Sequence, residues 1–361
     1  MILVGGEGTR LRPLTYDTPK QMLPIVDRPL IEHVAAWLSA HGVDRLILSL
    51  GYRPDAFLAA YPEAVLSGVE LAFAVEPELL DTAGAVRYAA STAGVSGRFV
   101  VLNGDVLTDF DLTSLLRFHE SRGAEASIFL TPVPDPSAFG VVATDSAGRV
   151  LQFVEKPAPG TAPSNYINAG AYVLEPSVLD RIESGRRVSI ERETFPALVS
   201  DSALYALGSE VYWLDTGTPE KYIQAQLDIL DGLRDERARP REDGVKQVAE
   251  GIFLSPSCTV DGALLRPAYV GGESVVAADA ELVGAVVGEA VHVAEGAVLR
   301  SCVVMSGSSV GKGAVVEHSI VGPGALIGEG ARVAGLSVVR GGADVPAGLS
   351  LEAARYGGPD H

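Results

Sequence analysis

The hydrophobic pattern of the chain changes its period once. Up to about residue 232, short apolar runs alternate with amphipathic segments, which is typical of a mostly parallel sheet covered by helices. The runs at 44–52 and 98–105 predict buried strands, and the apolar positions within 28–42 fall on one face of a helix. The segment 139–157 predicts a hairpin. We therefore expect an α/β domain in this part of the chain.

Beyond a charged segment the period becomes six, with Gly or Ala often following the apolar residue. A six-residue period with small residues at the corners fits a β-solenoid, in which each short face stacks on the next coil. An ordinary β-sandwich is the alternative, although its strands follow looser spacings of about 8 to 12 residues. The pattern is similar to that of left-handed parallel β-helices built from hexapeptide repeats. The repeating positions are Val287, Val293, Leu299, Val304, Val310, Val316, Val321, Ile327, Val333, Val339 and Val345.

Charge and composition restrict the partners. The net charge of −18 over 361 residues would repel a phosphate backbone, so nucleic acid is not expected to bind. No segment reaches the roughly 18 uncharged apolar residues of a membrane helix. The start lacks the pattern of a signal peptide, and Cys258 and Cys302 are the only cysteines. These features predict a cytoplasmic protein without structural disulfides.

The segment GGEGTRLRPLTYDTPKQMLP, at residues 5–24, combines three glycines with Arg10, Arg12 and Lys20. Successive backbone N–H groups of a glycine-rich turn form an anion site, and the cations suit phosphate. A dinucleotide fingerprint needs a third glycine where this chain has Leu11, and a Walker loop needs Gly-Lys-Ser/Thr after Gly8. The segment therefore predicts a phosphate site of another kind, with a structural turn and solvated arginines as the alternative.

Residues 5–24 resemble the signature of the sugar-nucleotide pyrophosphorylases, nucleotidyltransferases that act on sugar-1-phosphates, whose pattern is GGxGTRLxPLT followed by PK. The resemblance implies that the loop wraps a nucleoside triphosphate, with Arg10 on its phosphates and Lys20 neutralising the α-phosphate in the transition state. NGDV and WLDTGTP follow in the family's order, which implies that Asp105 is catalytic and binds Mg²⁺ together with Asp215. Mg²⁺ prefers a few carboxylates supplemented by phosphate oxygens and water.

The same resemblance implies the binding residues. LDTAGA, at 80–85, is similar to the family's LGTAG turn near the base, but Asp81 stands where many members have glycine. That change is tolerable if φ at this position stays below zero. VEKP, NAG and the preceding Phe-Gly resemble the sugar-phosphate pocket. The implied nucleotide-binding residues are Gly5, Gly6, Gly8, Thr9, Arg10, Glu76, Thr82 and Gly84. The implied sugar-phosphate-binding residues are Gly140, Glu155, Lys156, Asn168 and Gly170.

The segment SIERETFP, at 189–196, together with the C-terminal repeats most resembles mannose-1-phosphate guanylyltransferases of the short, eukaryote-like type. This implies that GTP and mannose-1-phosphate give GDP-mannose and pyrophosphate, in an enzyme that forms homo-oligomers. The implied domains are a nucleotidyltransferase domain with a Rossmann-like sheet at 1–232, a charged linker at 233–249, and a left-handed β-helix with a C-terminal tail at 250–361.

Three alternative functions remain open. The first is a glucose-1-phosphate thymidylyl- or uridylyltransferase, and the second is a non-catalytic regulatory paralogue that binds sugar nucleotides. The third is a bifunctional enzyme with an acyltransferase solenoid, for which His292 and His318 are the candidate bases. Solenoid histidines are more often surface or stacking residues. The sequence DFD at 109–111 mimics a metal motif, but Asp111 is better interpreted as the N-cap of a following helix.

Overall fold

The computed structural model describes residues 1–234, 238–241 and 243–358. The α-helices are α1 (Leu30–Ala40), α2 (Pro54–Ala60), α3 (Asp81–Thr92), α4 (Leu112–Arg122), α5 (Ser177–Asp180), α6 (Phe195–Ser200) and α7 (Pro219–Leu230). The strands before residue 232 are β1 (Ile2–Leu3), β2 (Pro24–Ile25), β3 (Arg28–Pro29), β4 (Arg45–Leu50), β5 (Val65–Leu66), β6 (Val69–Val75), β7 (Phe99–Asn103), β8 (Val106–Thr108), β9 (Ala126–Pro132), β10 (Gly140–Thr144), β11 (Val150–Glu155), β12 (Tyr166–Leu174), β13 (Leu204–Gly208) and β14 (Trp213–Asp215).

The later strands mostly have two to four residues. They are β15 (Lys246–Ala249), β16 (Ile252–Leu254), β17 (Thr259–Val260), β18 (Ala263–Val270), β19 (Val275–Val276), β20 (Glu281–Val287), β21 (His292–Val293), β22 (Val298–Val304), β23 (Ser309–Val310), β24 (Val315–Glu317), β25 (Ile320–Val321), β26 (Leu326–Ile327), β27 (Arg332–Ala334), β28 (Val338–Val339), β29 (Asp344–Val345), β30 (Ser350–Glu352) and β31 (Arg355–Tyr356). Single turns of 3-10 helix lie at Thr9–Leu11, Leu14–Tyr16 and Lys20–Met22, and a π-helical turn lies at Ile190–Thr194.

The chain divides into two compact units. The first consists of Met1–Gly6 and Val34–Trp213, and the second of Glu7–His33 and the residues from Leu214 onward. The signature segment therefore belongs, from its third residue, to the same unit as the repeats. Residues 235–237 and 242 of the predicted linker lie outside the described part of the chain, and the predicted domain limits stay a prediction.

The first unit is built on a mixed sheet with the strand order β11-β10-β12-β7-β1-β4-β6-β5, extended by β9 on β12 and β13 on β9. β1 lies between β4 and β7 and is parallel to both, and β4 is parallel to β6. The carboxyl ends of these four strands therefore meet at one edge. In open α/β sheets, ligands bind at that edge.

Several strands run antiparallel in this sheet, for which the hydrophobic pattern predicts mostly parallel pairing. β12 is antiparallel to both β7 and β9. β10 and β11 form the predicted hairpin, in which Gly140 is opposite Glu155. Buried strands have near-continuous apolar runs in either direction, so such runs do not show which way a distant partner points. The α/β class is confirmed, and the sheet is mixed.

Two helices begin at side-chain caps, of which the one at Asp111 was predicted above. The Asp111 carboxylate accepts a hydrogen bond from the backbone N–H of Thr113 at 2.9 Å, which explains the DFD sequence as a helix start. The Thr218 hydroxyl accepts from the N–H of Lys221 at 3.3 Å, and Pro219 is the first residue of α7. The last two residues of the WLDTGTP segment are thus the N-cap and the first residue of α7.

The second unit contains the predicted β-solenoid. Val293 pairs in parallel with Val310 of the next coil, Val310 with Ile327, and Ile327 with Val345. All eleven positions of the six-residue repeat are at most 2% exposed. Parallel stacking of identical positions, about 4.8 Å apart, is a solenoid and excludes the sandwich. Cys302 lies in this core, where burial raises the pKa of its thiol, and both cysteines are free.

Helix α7 attaches the end of the signature segment to the solenoid. It packs on β18, β20 and β22. Its Gln226 side chain accepts from the N–H of Val26 at 2.7 Å and donates to the carbonyl of Pro24 at 3.1 Å, and Tyr222 donates to the same carbonyl. Segment 24–26 is therefore held by side chains of α7 in addition to the short antiparallel pairing of β2 with β3. No helix of the described residues is long and apolar enough to span a membrane.

A buried histidine, His33, hydrogen-bonds to the same segment. The Arg28 guanidinium donates to Nδ1 of His33 at 3.3 Å, so Nε2 carries the proton that it donates to the carbonyl of Ile25 at 2.9 Å. Burial, and then the charge of Arg28, lower the pKa of His33 well below its usual value. His33 is therefore neutral in the folded protein over a range in which the unfolded chain binds a proton.

Stability is expected to fall as the pH drops below about 6.5, the usual histidine pKa. The depressed folded-state pKa means that His33 contributes stability above that pH, and this contribution is lost at up to about 1.4 kcal/mol per pH unit below it. Thermal melts from pH 7.5 to 5.5 measure this slope. His33→Gln should reduce the slope, while a smaller slope remains because burial also lowers the pKa of His119.

The exposed His292, changed to Gln, is the matched control for this experiment. It should leave the pH dependence of the melting temperature unchanged. An equal slope in wild type and His33→Gln would contradict the assignment.

Candidate functional site

The glycine-rich turn is shaped by close contacts within the second unit. Gly8 has φ +62°, and a Cβ there would lie 3.0 Å from Cγ2 of Thr15 and 3.2 Å from Cβ of Lys20. The Thr15 hydroxyl donates to the carbonyl of Gly8 at 2.9 Å. Both the backbone conformation and the lack of space therefore require glycine, and the turn folds back on the segment that carries Lys20.

Arg10 and Lys20 converge on one carboxylate. Nη2 of Arg10 lies 3.9 Å from Oδ2 of Asp215, and Nζ of Lys20 lies 4.0 Å from Oδ1. The Lys20 side chain is 7% exposed, whereas that of Arg10 is 63% exposed. A Cβ at Gly217 would lie 2.7 Å from Nη2 of Arg10, so this glycine makes room for the guanidinium. We call Arg10, Lys20 and Asp215 the charge cluster.

The charge cluster has the chemistry of a polyphosphate site. A fixed ammonium and an accessible guanidinium suit phosphate oxygens, and a carboxylate among them suits a divalent cation that accompanies the phosphates. Oδ1 of Asp215 accepts from the N–H of Gly217 at 2.8 Å, which orients the carboxylate. Since a carboxylate offers about four acceptor positions, Asp215 has the capacity to bind a metal as well.

Asp105 follows β7 at the edge of the first unit where the carboxyl ends of the parallel strands meet. The N–H of Gly104 donates to the carbonyl of Leu3 at 2.9 Å, and a Cβ at Gly104 would lie 2.7 Å from the Val4 side chain. The turn is thus pressed against the end of β1, and Asp105 is half-buried. Its carboxylate fits a hard cation that takes few protein ligands. Among the described residues there is no cluster of three or more His, Cys, Asp or Glu side chains that could hold a metal.

Glu76 joins the ends of two strands at the same edge. Its Oε1 accepts from the Ser49 hydroxyl at 3.1 Å, and its Oε2 accepts from the N–H of Leu80 at 3.0 Å. A Cβ at Gly5 would lie 3.6 Å from Oε1, whereas one at Gly6 would meet no atom within 4 Å. Gly6 therefore faces open space, and Glu76 has a structural task beside the nucleotide-binding role predicted for it.

The predicted base-side turn is tied to SIERETFP. The Thr82 hydroxyl donates to Glu191 at 2.8 Å and accepts from the N–H of Ile190 at 2.8 Å. A Cβ at Gly84 would lie 2.7 Å from the carbonyl oxygen of Arg186, so close packing of α3 explains this glycine. The single O–H group of Thr82 thus donates its hydrogen bond within the protein, to Glu191.

Asp81 departs from the expectation that φ stays below zero, since its φ is +61°. The side chain accepts from the N–H of Thr82 at 2.8 Å. Aspartate adopts the left-handed region more readily than most residues because its short carboxylate bonds to the local backbone. The position therefore keeps the backbone conformation that suits glycine, with a local hydrogen bond in its support.

The predicted sugar-phosphate residues form two neighbouring groups in the first unit. Gly140 pairs with Glu155 across the hairpin, and a Cβ at Gly140 would lie 2.9 Å from Oε2 of that glutamate. The Lys156 ammonium lies 3.6 Å from Oε1 of Glu155 and is 61% exposed. An exposed cation beside a glutamate suits a ligand that carries both phosphate and hydroxyl groups.

The second group lies on β12, which pairs with β10 and β7. Asn168 accepts from the N–H of Gly170 at 2.9 Å and donates to the Tyr172 hydroxyl at 2.9 Å. Gly170 has φ +75°, and a Cβ there would lie 2.8 Å from the side chain of Asn103. This group is thus next to the NGDV turn, two residues before Asp105.

Comparison with known proteins identifies the family. The sequence profile of the family described as "Nucleotidyl transferase" matches residues 1–232. The chain belongs to the nucleotidyl transferase family. A second profile, "GMPPB C-terminal domain", matches residues 264–355 of this nucleotidyl transferase.

The relatives cover most of the nucleotidyl transferase. A "Mannose-1-phosphate guanylyltransferase" of Mycobacterium tuberculosis is 38% identical over 298 residues, 81% of this chain and 80% of that protein. A "Mannose-1-phosphate guanyltransferase" of Schizosaccharomyces pombe is 39% identical over 72% of each chain. The crystal structure of HddC from Yersinia pseudotuberculosis complexed with GMP-PN is 28% identical, covers 62% of this chain and 96% of that one, and has a TM-score of 0.54. The resemblance expected from the signature is confirmed.

Sequence reasoning missed several residues and contacts in this nucleotidyl transferase. Gly217, beside the charge cluster, could have been noticed as a glycine two positions after an aspartate. The packing of Asn103 of the NGDV turn against Gly170 in the first unit has no local signal. Glu7, unexplained by the sequence, pairs with Arg12 at 2.8 Å. The pairing of Asp17 with Arg340 spans 323 residues and has no sequence signal.

One arrangement in the first unit mimics a hydrolase triad. Nδ1 of His119 lies 2.9 Å from the Ser127 hydroxyl, and Nε2 lies 3.1 Å from Glu175. Ser127 is fully buried, so no substrate can reach its hydroxyl. These residues are a buried polar network rather than a second active site.

Proposed function

We propose that the chain is a mannose-1-phosphate guanylyltransferase, which joins GTP and mannose-1-phosphate to give GDP-mannose and pyrophosphate. The observation that carries the proposal is the charge cluster, in which Arg10 and Lys20 of the signature segment lie within 4.0 Å of Asp215. Family membership supports the reaction class, and the names of the relatives support this pair of substrates.

The chemistry requires charge neutralisation and alignment rather than a general base. The attacking oxygen of a sugar-1-phosphate is already an anion at neutral pH, so in-line attack on the α-phosphorus needs no proton removal. We assign Lys20 to the charge on the α-phosphate, because its buried stem fixes the ammonium. The exposed Arg10 binds the outer phosphates, and pyrophosphate leaves.

Asp105 and Asp215 are the proposed ligands of Mg²⁺, which would supply further neutralisation of the triphosphate when bound. Each is a carboxylate with acceptor capacity for a hard cation. We propose Gly5, Gly6, Gly8, Thr9 and Glu76 for nucleotide binding with the turn of Thr82 and Gly84, and Gly140, Glu155, Lys156, Asn168 and Gly170 for the sugar phosphate. A homo-oligomeric state and a cytoplasmic location also stay predictions.

A substrate matrix tests the function. GTP, dTTP, UTP, ATP and CTP are each combined with mannose-, glucose- and N-acetylglucosamine-1-phosphate, and pyrophosphate release is followed with and without Mg²⁺. We expect GTP with mannose-1-phosphate to have the highest kcat/KM. A preference for glucose-1-phosphate with dTTP or UTP would replace the specificity assignment, and no release from any pair would favour a regulatory protein. Acetyl-CoA turnover would indicate the acyltransferase alternative.

A further inference from the structure

In the last described coils of the solenoid, Arg340 forms an ion pair with the signature segment. Nε of Arg340 donates to Oδ2 of Asp17 at 2.9 Å, and Nη2 donates to Oδ1 at 3.0 Å. The pair is bidentate, the geometry in which a guanidinium fixes both the position and the orientation of a carboxylate. A residue of the repeats thus bonds directly to the segment that carries Arg10 and Lys20.

Arg340 is presented by a rigid element. It follows β28, whose Val338 and Val339 are fully buried in the solenoid, and its N–H donates to the carbonyl of Tyr356 at 2.9 Å. A Cβ at Gly357 would lie 3.2 Å from Cβ of Arg340, so the next coil packs against the base of the side chain. The backbone and Cβ of Arg340, from which the guanidinium extends, are therefore held in place.

The signature segment has little structure of its own. Between Glu7 and Leu23 its regular structure consists of single 3-10 turns, whose hydrogen-bond geometry is poorer than that of an α-helix, so contacts from outside each turn add to its stability. Asp17 ends the turn Leu14–Tyr16, and Lys20 starts the next turn three residues later. A contact that holds Asp17 therefore supports the conformation at Lys20, together with the packing of Lys20 near Gly8.

Contacts continue from Arg340 back to the glycine-rich turn. The Tyr16 ring has the Arg340 guanidinium 5.9 Å from its centroid and the Arg12 guanidinium 5.1 Å from it. Arg12 in turn donates to Glu7 at 2.8 Å, beside the first glycines. Arg340 thus supports the segment at Asp17 and at Tyr16, and the support reaches both sides of Arg10.

We propose that Arg340 is a positioning residue for nucleotide binding, which holds the signature segment in the conformation that directs Lys20 and Arg10 to the triphosphate. The inference rests on the proposed function for its kinetic readout. By this role of Arg340, the solenoid contributes to the reaction through the signature segment, although Arg340 itself does not touch the substrate.

The kinetic test compares Arg340→Ala with Arg332→Ala. Arg332 is the matched control because it makes a similar 2.8 Å ion pair, with Glu317, elsewhere on the solenoid. We expect Arg340→Ala to lower kcat/KM for GTP by on the order of tenfold, since small misplacements of binding groups are costly. The melting temperature should hardly change, because the Arg340 and Asp17 side chains are 33% and 58% exposed and such pairs stabilise little.

Charge reversal separates positioning from general damage. Arg340→Asp and Asp17→Arg should each lower kcat/KM for GTP, and the double variant should recover most of the loss because the pair is re-formed with opposite signs.

Hydrogen exchange of the whole chain gives a readout without catalysis. Amides of residues 9–22 should exchange faster in Arg340→Ala than in wild type or Arg332→Ala.

The outcomes are distinct. If the wild type turns over no substrate pair, the proposed function fails, while hydrogen exchange still tests the contact. If the wild type is active and Arg340→Ala matches Arg332→Ala in both kinetics and exchange, the positioning role is wrong. A loss in the single variants without recovery in the double variant would also overturn it.

Discussion

Lys20→Met is expected to lower kcat by about 10²- to 10³-fold, as removal of a preorganised electrostatic group from a transition state does. Methionine replaces the buried stem of Lys20 with a chain of similar length, so packing around Gly8 should persist. The ammonium that lies 4.0 Å from Asp215 is lost, and with it the charge that we assign to the α-phosphate. Steady-state pyrophosphate release with saturating GTP and mannose-1-phosphate measures the effect.

Lys221→Met is the matched control for this change. Lys221 lies on α7, where its ammonium donates to Gln224 at 2.9 Å. The control should keep kcat within about twofold of the wild type, as surface changes away from special features do. A Lys20→Met enzyme as active as the control would remove Lys20 from the reaction.

Asp105→Asn is expected to abolish most turnover, by about 10³-fold or more, while folding is retained. The amide has the shape of the carboxylate but lacks its charge, which a hard cation such as Mg²⁺ requires of its few protein ligands. Because the tight contact in this turn is made by Gly104, the melting temperature should stay close to that of the wild type. Activity measured over a magnesium series gives the result.

Asp111→Asn makes the same chemical change six residues later. Asparagine caps helices as well as aspartate does, so this control should fold and react normally. Normal activity of Asp105→Asn in saturating magnesium would show that the metal assignment is wrong. A loss in Asp111→Asn instead would point to the DFD sequence as the metal motif.

Features encoded by neighbouring residues could be predicted from the sequence. The eleven repeat positions are all buried, because a solenoid repeats one local environment and the period alone identifies it. The caps at Asp111 and Thr218 were predictable since the side chain bonds to a backbone group two or three residues away. The cations of the signature segment were recognised for the same reason, as part of one continuous motif.

Features that depend on distant partners could not be predicted. The antiparallel direction of β12 is set by its pairing with β7 and β9, and apolar runs do not encode direction. The positive φ of Asp81 and the bond from Ile190 to the neighbouring Thr82 lie where the sequence shows only a substituted glycine. Glu7 has no interpretation until Arg12 is seen to fold back on it.

The contact at Arg340 limits how the solenoid can change in length. Segment 24–26 is attached by α7 to the coils around β18 and β22, whereas Asp17 is attached two coils further on, where β22, β25 and β28 follow one another. Each coil adds a rise of about 4.8 Å. The number of coils between these two attachment points is therefore matched to the length of the signature segment that joins them. An extra coil inserted between the two attachment points would separate Arg340 from Asp17 by one strand spacing.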